Sequence, residues 1–303
     1  MQTAEALARE LLRTHAPAPP NIPDDPVARW PQLRRVGVRG SLRAYLADLW
    51  RWRNFMVTVP RNELRAQNQN TVLGQIWHLL NPLMLALIYY MIFGVILGIS
   101  RGGVENYSAF LIVGVITFNY TRTALQSGAK TIVTNRKLVQ AINFPRAVLP
   151  LSSMIKSVVS HCIAIGVMWL VVLATGVRPT VTWLLVIPFL VLHSVFNLGL
   201  MLFTARFAFH FRDTQQFLPY ALRIWFYMSG VLIPIEARFV QMPSARAILQ
   251  ANPIYVIIEI ARDAFIHNTF DPTMWWTASA WAAGLLVAGF AYFHRAESEY
   301  GLV

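Results

Sequence analysis

The amino-acid sequence predicts an all-α integral membrane protein with six transmembrane helices, an N-terminal interfacial amphipathic helix, and short re-entrant helices before the last span. Three observations predict it. Six apolar stretches, 79–99, 108–128, 149–175, 181–205, 216–235 and 272–293, each reach the roughly 20 residues needed to cross hydrocarbon. The composition is 56% hydrophobic and 13% charged, too apolar for an ordinary soluble domain. Basic residues also fall on alternate sides of successive stretches. Arg51, Arg53, Arg61 and Arg65 precede the first, Lys130, Arg136, Lys137 and Arg146 occupy the 129–148 loop, and Arg206 and Arg212 the 206–215 loop. The intervening loops hold little: Arg101 against Glu105, then Arg178, and in 235–271 Arg238, Arg246 and Arg262 nearly balanced by Glu236, Glu259, Asp263 and Asp271. A basic side chain at a span centre costs about 2.5–3.5 kcal/mol and basic loops stay cytoplasmic. The expected location is therefore the plasma (inner) membrane, multi-pass, with both termini cytoplasmic.

Residues 1–40 read as a cytoplasmic, proline-rich extension. The first 14 residues lack the apolar core of a signal peptide, and Pro17, Pro19, Pro20, Pro23, Pro26 and Pro31 forbid a regular helix. Residues 41–78 read as an interfacial helix and an entry loop. Leu42, Tyr45, Leu46, Leu49, Trp52 and Phe55 recur at helical spacing among Arg43, Asp48, Arg51 and Arg53. That pattern suits a helix lying in the membrane interface, or one packed on a partner. The segment 61–78 is too polar for lipid, and Gly74 offers a turn before the first span. Residues 79–293 form the transmembrane domain and 294–303 a cytoplasmic tail. Within the domain, 129–148 reads as a basic helix closed by Pro145, and the third and fourth spans as a hairpin turning near Pro179. Between 235 and 271, two apolar pieces, 244–251 and 254–266, flank Asn252-Pro253 and are too short to span. They are expected either to dip into the outer leaflet with their backbone buried in protein or to form an extracytoplasmic helical loop.

Composition excludes several functions. The net charge of +12 lies beside spans and accompanies no nucleic-acid motif, so anionic membrane lipids are its expected partners. Only Lys130, Lys137 and Lys156 are lysines among 26 basic residues, a bias that hints at a GC-rich genome. The single Cys162 cannot form an internal disulfide, and the seven histidines show no metal-ligand spacing. SGAKT at 127–131 lacks the Gly-Lys-Ser/Thr order of a phosphate loop and ends a span instead of following a strand. No nucleotide, metal or other cofactor is expected on this chain.

Polar stripes run along the spans: Asn119, Arg122 and Gln126; Ser153, Lys156 and Ser160; His193 and Asn197; and Gln216, Tyr220, Arg223 and Tyr227. No acidic residue stands at mid-depth. The stripes suit either helix–helix hydrogen bonding or a pathway for something neutral or anionic. Tyr89, Tyr90, Phe93, Phe118, Tyr120, Tyr220, Trp225, Phe226 and Tyr227 lie within spans, several deeper than the interfacial belts where aromatics usually sit. They suit core packing or contact with sugar rings.

RNELRAQNQNTVLGQIWHLLNPL (61–83), FLIVGVITFNY (110–120), NRKLVQAINFPRAVLPLS (135–152), FRDTQQFLPYALRIWFYMSGVLIPIE (211–236) and NPIYVIIEIARDAF (252–265) together resemble the permease subunit of bacterial ABC-2-type polysaccharide exporters. The resemblance covers about residues 45–293, and the proline-rich extension is similar to the actinobacterial galactan-export branch. It implies a homodimer with two ATP-binding subunits, which carry ATP and Mg, exporting a lipid-linked polysaccharide. It further implies a coupling helix to the ATPase at Asn135, Arg136, Lys137, Leu138, Val139, Asn143, Phe144 and Pro145. Leu73 and Gly74 would stand near the carrier pyrophosphate, with Arg51, Arg53, Arg61 and Arg65 placed either to compensate its charge or only to fix orientation. The aromatic residues of the first and fifth spans would line a channel between two copies. The 244–266 helices would gate its outer mouth. A drug or lipid exporter is the alternative of the same class. A membrane glycosyl- or acyltransferase, drawing a base from Asp213, Glu236, Glu259 or Asp263, is the alternative of another class.

Overall fold

The computed structural model describes residues 42–66, 76–96, 106–142, 144–235, 242–297 and 300, all in helices or the turns that join them. Residues 1–40, Leu73 and Gly74 lie outside this set. The described residues form one compact unit, and its elements are all helical, as the sequence predicts.

The single amphipathic helix expected within 41–78 is two helices, α1 (Leu42–Arg51) and α2 (Arg53–Ala66), broken at Trp52. The second runs past Pro60 into the polar segment and packs on a later helix, with Glu63 Oε2 2.9 Å from Lys156 Nζ. Lys156 thus has an acidic partner that the spans themselves do not contain. The pair is partly exposed and contributes at most about 1 kcal/mol.

The first apolar stretch forms α3 (Trp77–Tyr89), which continues as a π-helix over Tyr90–Ile96. Four helices among the described residues have the length and apolarity to cross a membrane. They are α4 (Tyr107–Thr134), α6 (Val148–Ala174), a helix comprising a 3-10 turn at Val181–Leu185 and α7 (Val186–His210), and α11 (Pro272–Arg295). The short α5 (Arg136–Ala141) joins α4 to α6.

The fifth stretch departs from expectation. Its helix, α8 (Thr214–Met228), has 15 residues, about 22 Å at 1.5 Å per residue, short of a full crossing. It ends because Gly230 takes φ +64°, a conformation that glycine adopts without steric cost. Val231 and Leu232 beyond it are buried but not helical. The two short helices appear as expected: α9 (Pro243–Gln250) and α10 (Pro253–Arg262), the latter extended by a π turn at Asp263–His267. Side-chain caps set the helix starts. Asn106 accepts from Ala109 N, Asn252 from Ile254 N ahead of Pro253, and Asp271 from Thr273 N ahead of Pro272. Each supplies an acceptor to an otherwise orphaned amide, and proline at the first helical position lacks the N–H that would need one.

Helix α4 is the axis of the molecule, buried continuously from Ala109 to Phe118 and packed on α6, α7, α8 and α10. Helix α11 lies on α7 at a crossing where a Cβ on Gly199 would stand 2.5 Å from the Leu285 carbonyl carbon, and one on Gly289 would collide with Gly199 O. In a membrane, where lipid tails are as apolar as side chains, such close backbone contact supplies the packing energy of association.

Candidate functional site

Three elements meet in an aromatic layer. Tyr89 of α3 stacks on Phe226 of α8 at 5.2 Å. Phe118 of α4 meets Phe226 edge-on at 5.1 Å and Trp225 at 6.1 Å. Each such pair is worth about 0.5–1.5 kcal/mol beyond its buried area. Phe118 and Phe226 are buried, so they form the hub of the layer and not its surface. Trp225 is held from the other side, its Nε1 donating to Asn252 Oδ1 at 2.9 Å, while Asn252 Nδ2 donates to Ser229 Oγ at 3.0 Å.

Outward from the hub the surface is uncovered. Tyr90 is partly exposed, and Tyr220 and Tyr227 are 65% and 56% exposed. Arg122 on α4 and Arg223 on α8 are exposed beside them. The Phe93 side chain lies outside the described set. Tyr120, expected on this face, is instead 3% exposed and points into the bundle. It stacks on His161 at 4.1 Å, meets His193 edge-on at 4.8 Å, and shares a 2.8 Å hydrogen bond with Ser194 Oγ. His193 Nε2 lies 2.8 Å from Thr121 Oγ1, and Thr131 Oγ1 3.0 Å from Ser153 Oγ. For these residues the helix–helix hydrogen-bond reading holds. No group of three or more metal-ligating side chains occurs among the described residues.

At the end of the bundle where α4 stops and α6 starts, Arg136, Lys137 and Gln140 of α5 are exposed, while Val139 is buried and Leu138 and Asn135 are partly covered. Asn135 Nδ2 donates to Thr131 O at 2.8 Å. Phe144 does not present itself outward. It is buried against Trp52 (5.4 Å) and Phe55 (6.3 Å), fastening the α5–α6 connection, with Pro145, to α1 and α2. The Asn143 position lies outside the described residues. Beside this contact is a polar junction. Tyr45 OH donates to Glu297 Oε1 at 2.9 Å, the Arg146 amide donates to the same oxygen at 2.8 Å, and Glu297 Oε2 sits 2.9 Å from His294 Nδ1. Burial, reinforced by Glu297, pushes the Tyr45 hydroxyl well above its ordinary pKa, so it remains a donor. Burial draws the Arg146 guanidinium down, opposed by Glu297. Of the expected entry arginines, Arg51 pairs with Asp48 at 3.6 Å, Arg53 lies over the Trp50 ring at 5.5 Å, and Arg61 is exposed. The side chain of Arg65 lies outside the described set.

At the opposite end Arg262 of α10 is completely buried. Its Nη1 donates to Glu259 Oε1 at 2.7 Å, and Nη2 donates to Gly230 O and Val231 O at 3.0 and 3.1 Å. The guanidinium lies over Phe110 at 3.4 Å. The turn after α8, the start of α4 and α10 are thus locked by one side chain. The sequence reading missed Arg262, Tyr45 and Glu297. A Glu-x-x-Arg spacing in an apolar helix was the available signal for the first. Nothing local announced the other two, which meet 252 residues apart.

Comparisons with known proteins agree with this architecture. The chain is 28% identical over 257 residues to the O-antigen export system permease protein RfbA of Myxococcus xanthus, covering 84% of this chain and 96% of that protein. It is 25% identical over 229 residues to the protein of the same name from Klebsiella pneumoniae, covering 75% and 83%. A profile of the ABC-2 type transporter family matches residues 56–266, from within α2 to the π turn after α10. The chain therefore belongs to the ABC-2 type transporter family of membrane proteins.

Proposed function

We propose that this chain is the permease subunit of an ATP-driven exporter, working as a homodimer with two copies of a separate ATP-binding subunit. Its cargo is a polysaccharide linked through pyrophosphate to a polyprenyl lipid, moved from the cytoplasm to the outer face of the plasma membrane. The observation that carries the reading is the uncovered face of α4 and α8. Arg122 lies near the middle of a 28-residue apolar helix. A charge there is costly against lipid and stands instead against water or protein. Exposed Tyr220 and Tyr227 on the same side offer aromatic faces with hydroxyl edges, which suit sugar rings. A long glycan outgrows any enclosed pocket, and a continuous path between two such faces accommodates it.

The names of the relatives support a polysaccharide cargo, and the proline-rich N-terminal segment supports a cell-wall galactan as its type. Arg136 and Lys137, exposed on α5, are the residues through which the ATP-binding subunit would be engaged. ATP and Mg belong to that subunit. Of the acids that a transferase would draw on, Glu259 is tied to Arg262 and Asp263 to His267. Reconstituted vesicles test the reading. ATP-dependent glycan translocation is expected only when the ATP-binding subunit is present, and translocation by this chain alone would contradict it.

A further inference from the structure

Arg122 and Arg223 are brought together from helices of opposite direction. Arg122 follows Phe118 by one turn on α4, and Arg223 precedes Phe226 by one turn on α8. Because the two helices run antiparallel, both guanidiniums fall on the same side of the Phe118–Phe226 contact, towards the end that carries α5. Tyr89 stacks on Phe226 at this contact, and Tyr227 lies one turn beyond Arg223 on the exposed side of α8. Both arginines are exposed, and neither makes a hydrogen bond or ion pair among the described residues. α3, its π extension, α4 and α8 contain no Asp or Glu. Two uncompensated cations therefore stand exposed one turn from an aromatic contact, and guanidinium forks match phosphate oxygens in geometry.

We propose that Arg122 and Arg223 form an anion-binding station in the conduit, which receives the pyrophosphate of the lipid-linked cargo. This rests on the exporter reading for the identity of the cargo, but not for the binding chemistry. The pyrophosphate carries charge that apolar walls reject. A station one turn below the aromatic layer supplies counter-charge there, while Tyr89 and Tyr227 add hydroxyl donors. In a two-fold dimer the station is doubled, so the anion need not be neutralised by one chain alone.

Binding of farnesyl pyrophosphate to the full-length protein in nanodiscs, with farnesol as the uncharged control, tests the station. Arg122→Gln and Arg223→Gln should each weaken farnesyl pyrophosphate binding about tenfold, the loss expected for one charge-assisted hydrogen-bonding group. Farnesol binding should be unchanged, and a variant with Lys at both positions should keep most of the affinity. Unchanged farnesyl pyrophosphate affinity in the double Gln variant overturns the proposal, as does an equal loss for farnesol. The same variants are then assayed for export with the ATP-binding subunit. Normal glycan export by the double Gln variant overturns the station while leaving the exporter reading intact. Arginine-dependent pyrophosphate binding in a complex that exports no glycan overturns the exporter reading and keeps the station.

Discussion

Arg262 shows how one side chain fixes three segments. Replacing it with Met removes the donors to Gly230 O and Val231 O and strands Glu259. Breaking a buried pair in this way costs about 3–5 kcal/mol. A large drop in the thermal midpoint of the detergent-purified protein is expected, partly recovered when Glu259→Gln is added, and a midpoint close to wild type would contradict this role. Its neighbour His267 supplies a pH dependence. The hydrogen bond with Asp263 Oδ1 at 3.2 Å holds the imidazole above its ordinary 6.5 against the opposing effect of burial. A raised folded value means that the stabilisation is complete below the unfolded pKa and is lost as pH rises through the folded one. His267→Ala should therefore lie further below wild type in thermal midpoint at about pH 5.5 than at about pH 8.5, and an equal gap at both would count against the contact. The Glu259-x-x-Arg262 spacing was visible in the sequence. The carbonyls that Arg262 reaches were not, because they lie about 30 residues away on a turn whose position only the fold sets.

Among the elements, hydropathy located every apolar stretch but not where each helix ends. The 231–234 run is as apolar as a span, yet Gly230 turns the chain and Arg262 satisfies the freed carbonyls, so these residues do not continue the helix. Tyr120 illustrates the same limit for the site. The sequence counted it among the aromatic residues of the second span, but only packing shows that it turns inward to His161. The α7–α11 crossing depends on Gly199 and Gly289, where no side chain fits. Gly289→Leu should separate the helices and abolish recovery of folded monodisperse protein, whereas Gly284→Leu, with open space at its Cβ, should be tolerated. Equal recovery of the two variants would refute the crossing. At the other end, Phe144 is an internal strut and Arg136 an outward charge. Phe144→Ala is expected to lower partner-stimulated ATP hydrolysis severalfold while the complex still forms, and Arg136→Glu to weaken complex formation itself. Copurification and normal turnover in both would show that α5 is not the contact.

For the whole molecule, the sequence disclosed a membrane domain of helices and the family to which it belongs, because span periodicity and ordered motifs survive without tertiary information. It did not disclose which faces remain uncovered. That requires knowing that α4 packs on α3, α6, α7, α8 and α10 yet leaves Arg122 and Thr123 exposed, and that α8 keeps Tyr220, Arg223 and Tyr227 outward. On the proposed reading, this face meets an aqueous path and not lipid. Cysteine accessibility distinguishes the two, in a background where the exposed Cys162 is changed to Ser. In membranes, Tyr227→Cys and Tyr220→Cys should react rapidly with a small hydrophilic thiol reagent, whereas Val287→Cys on α11, 69% exposed in the single chain, should react slowly from within lipid. If the two tyrosine positions are as protected as Val287, the face is sealed by hydrocarbon and the conduit does not run there.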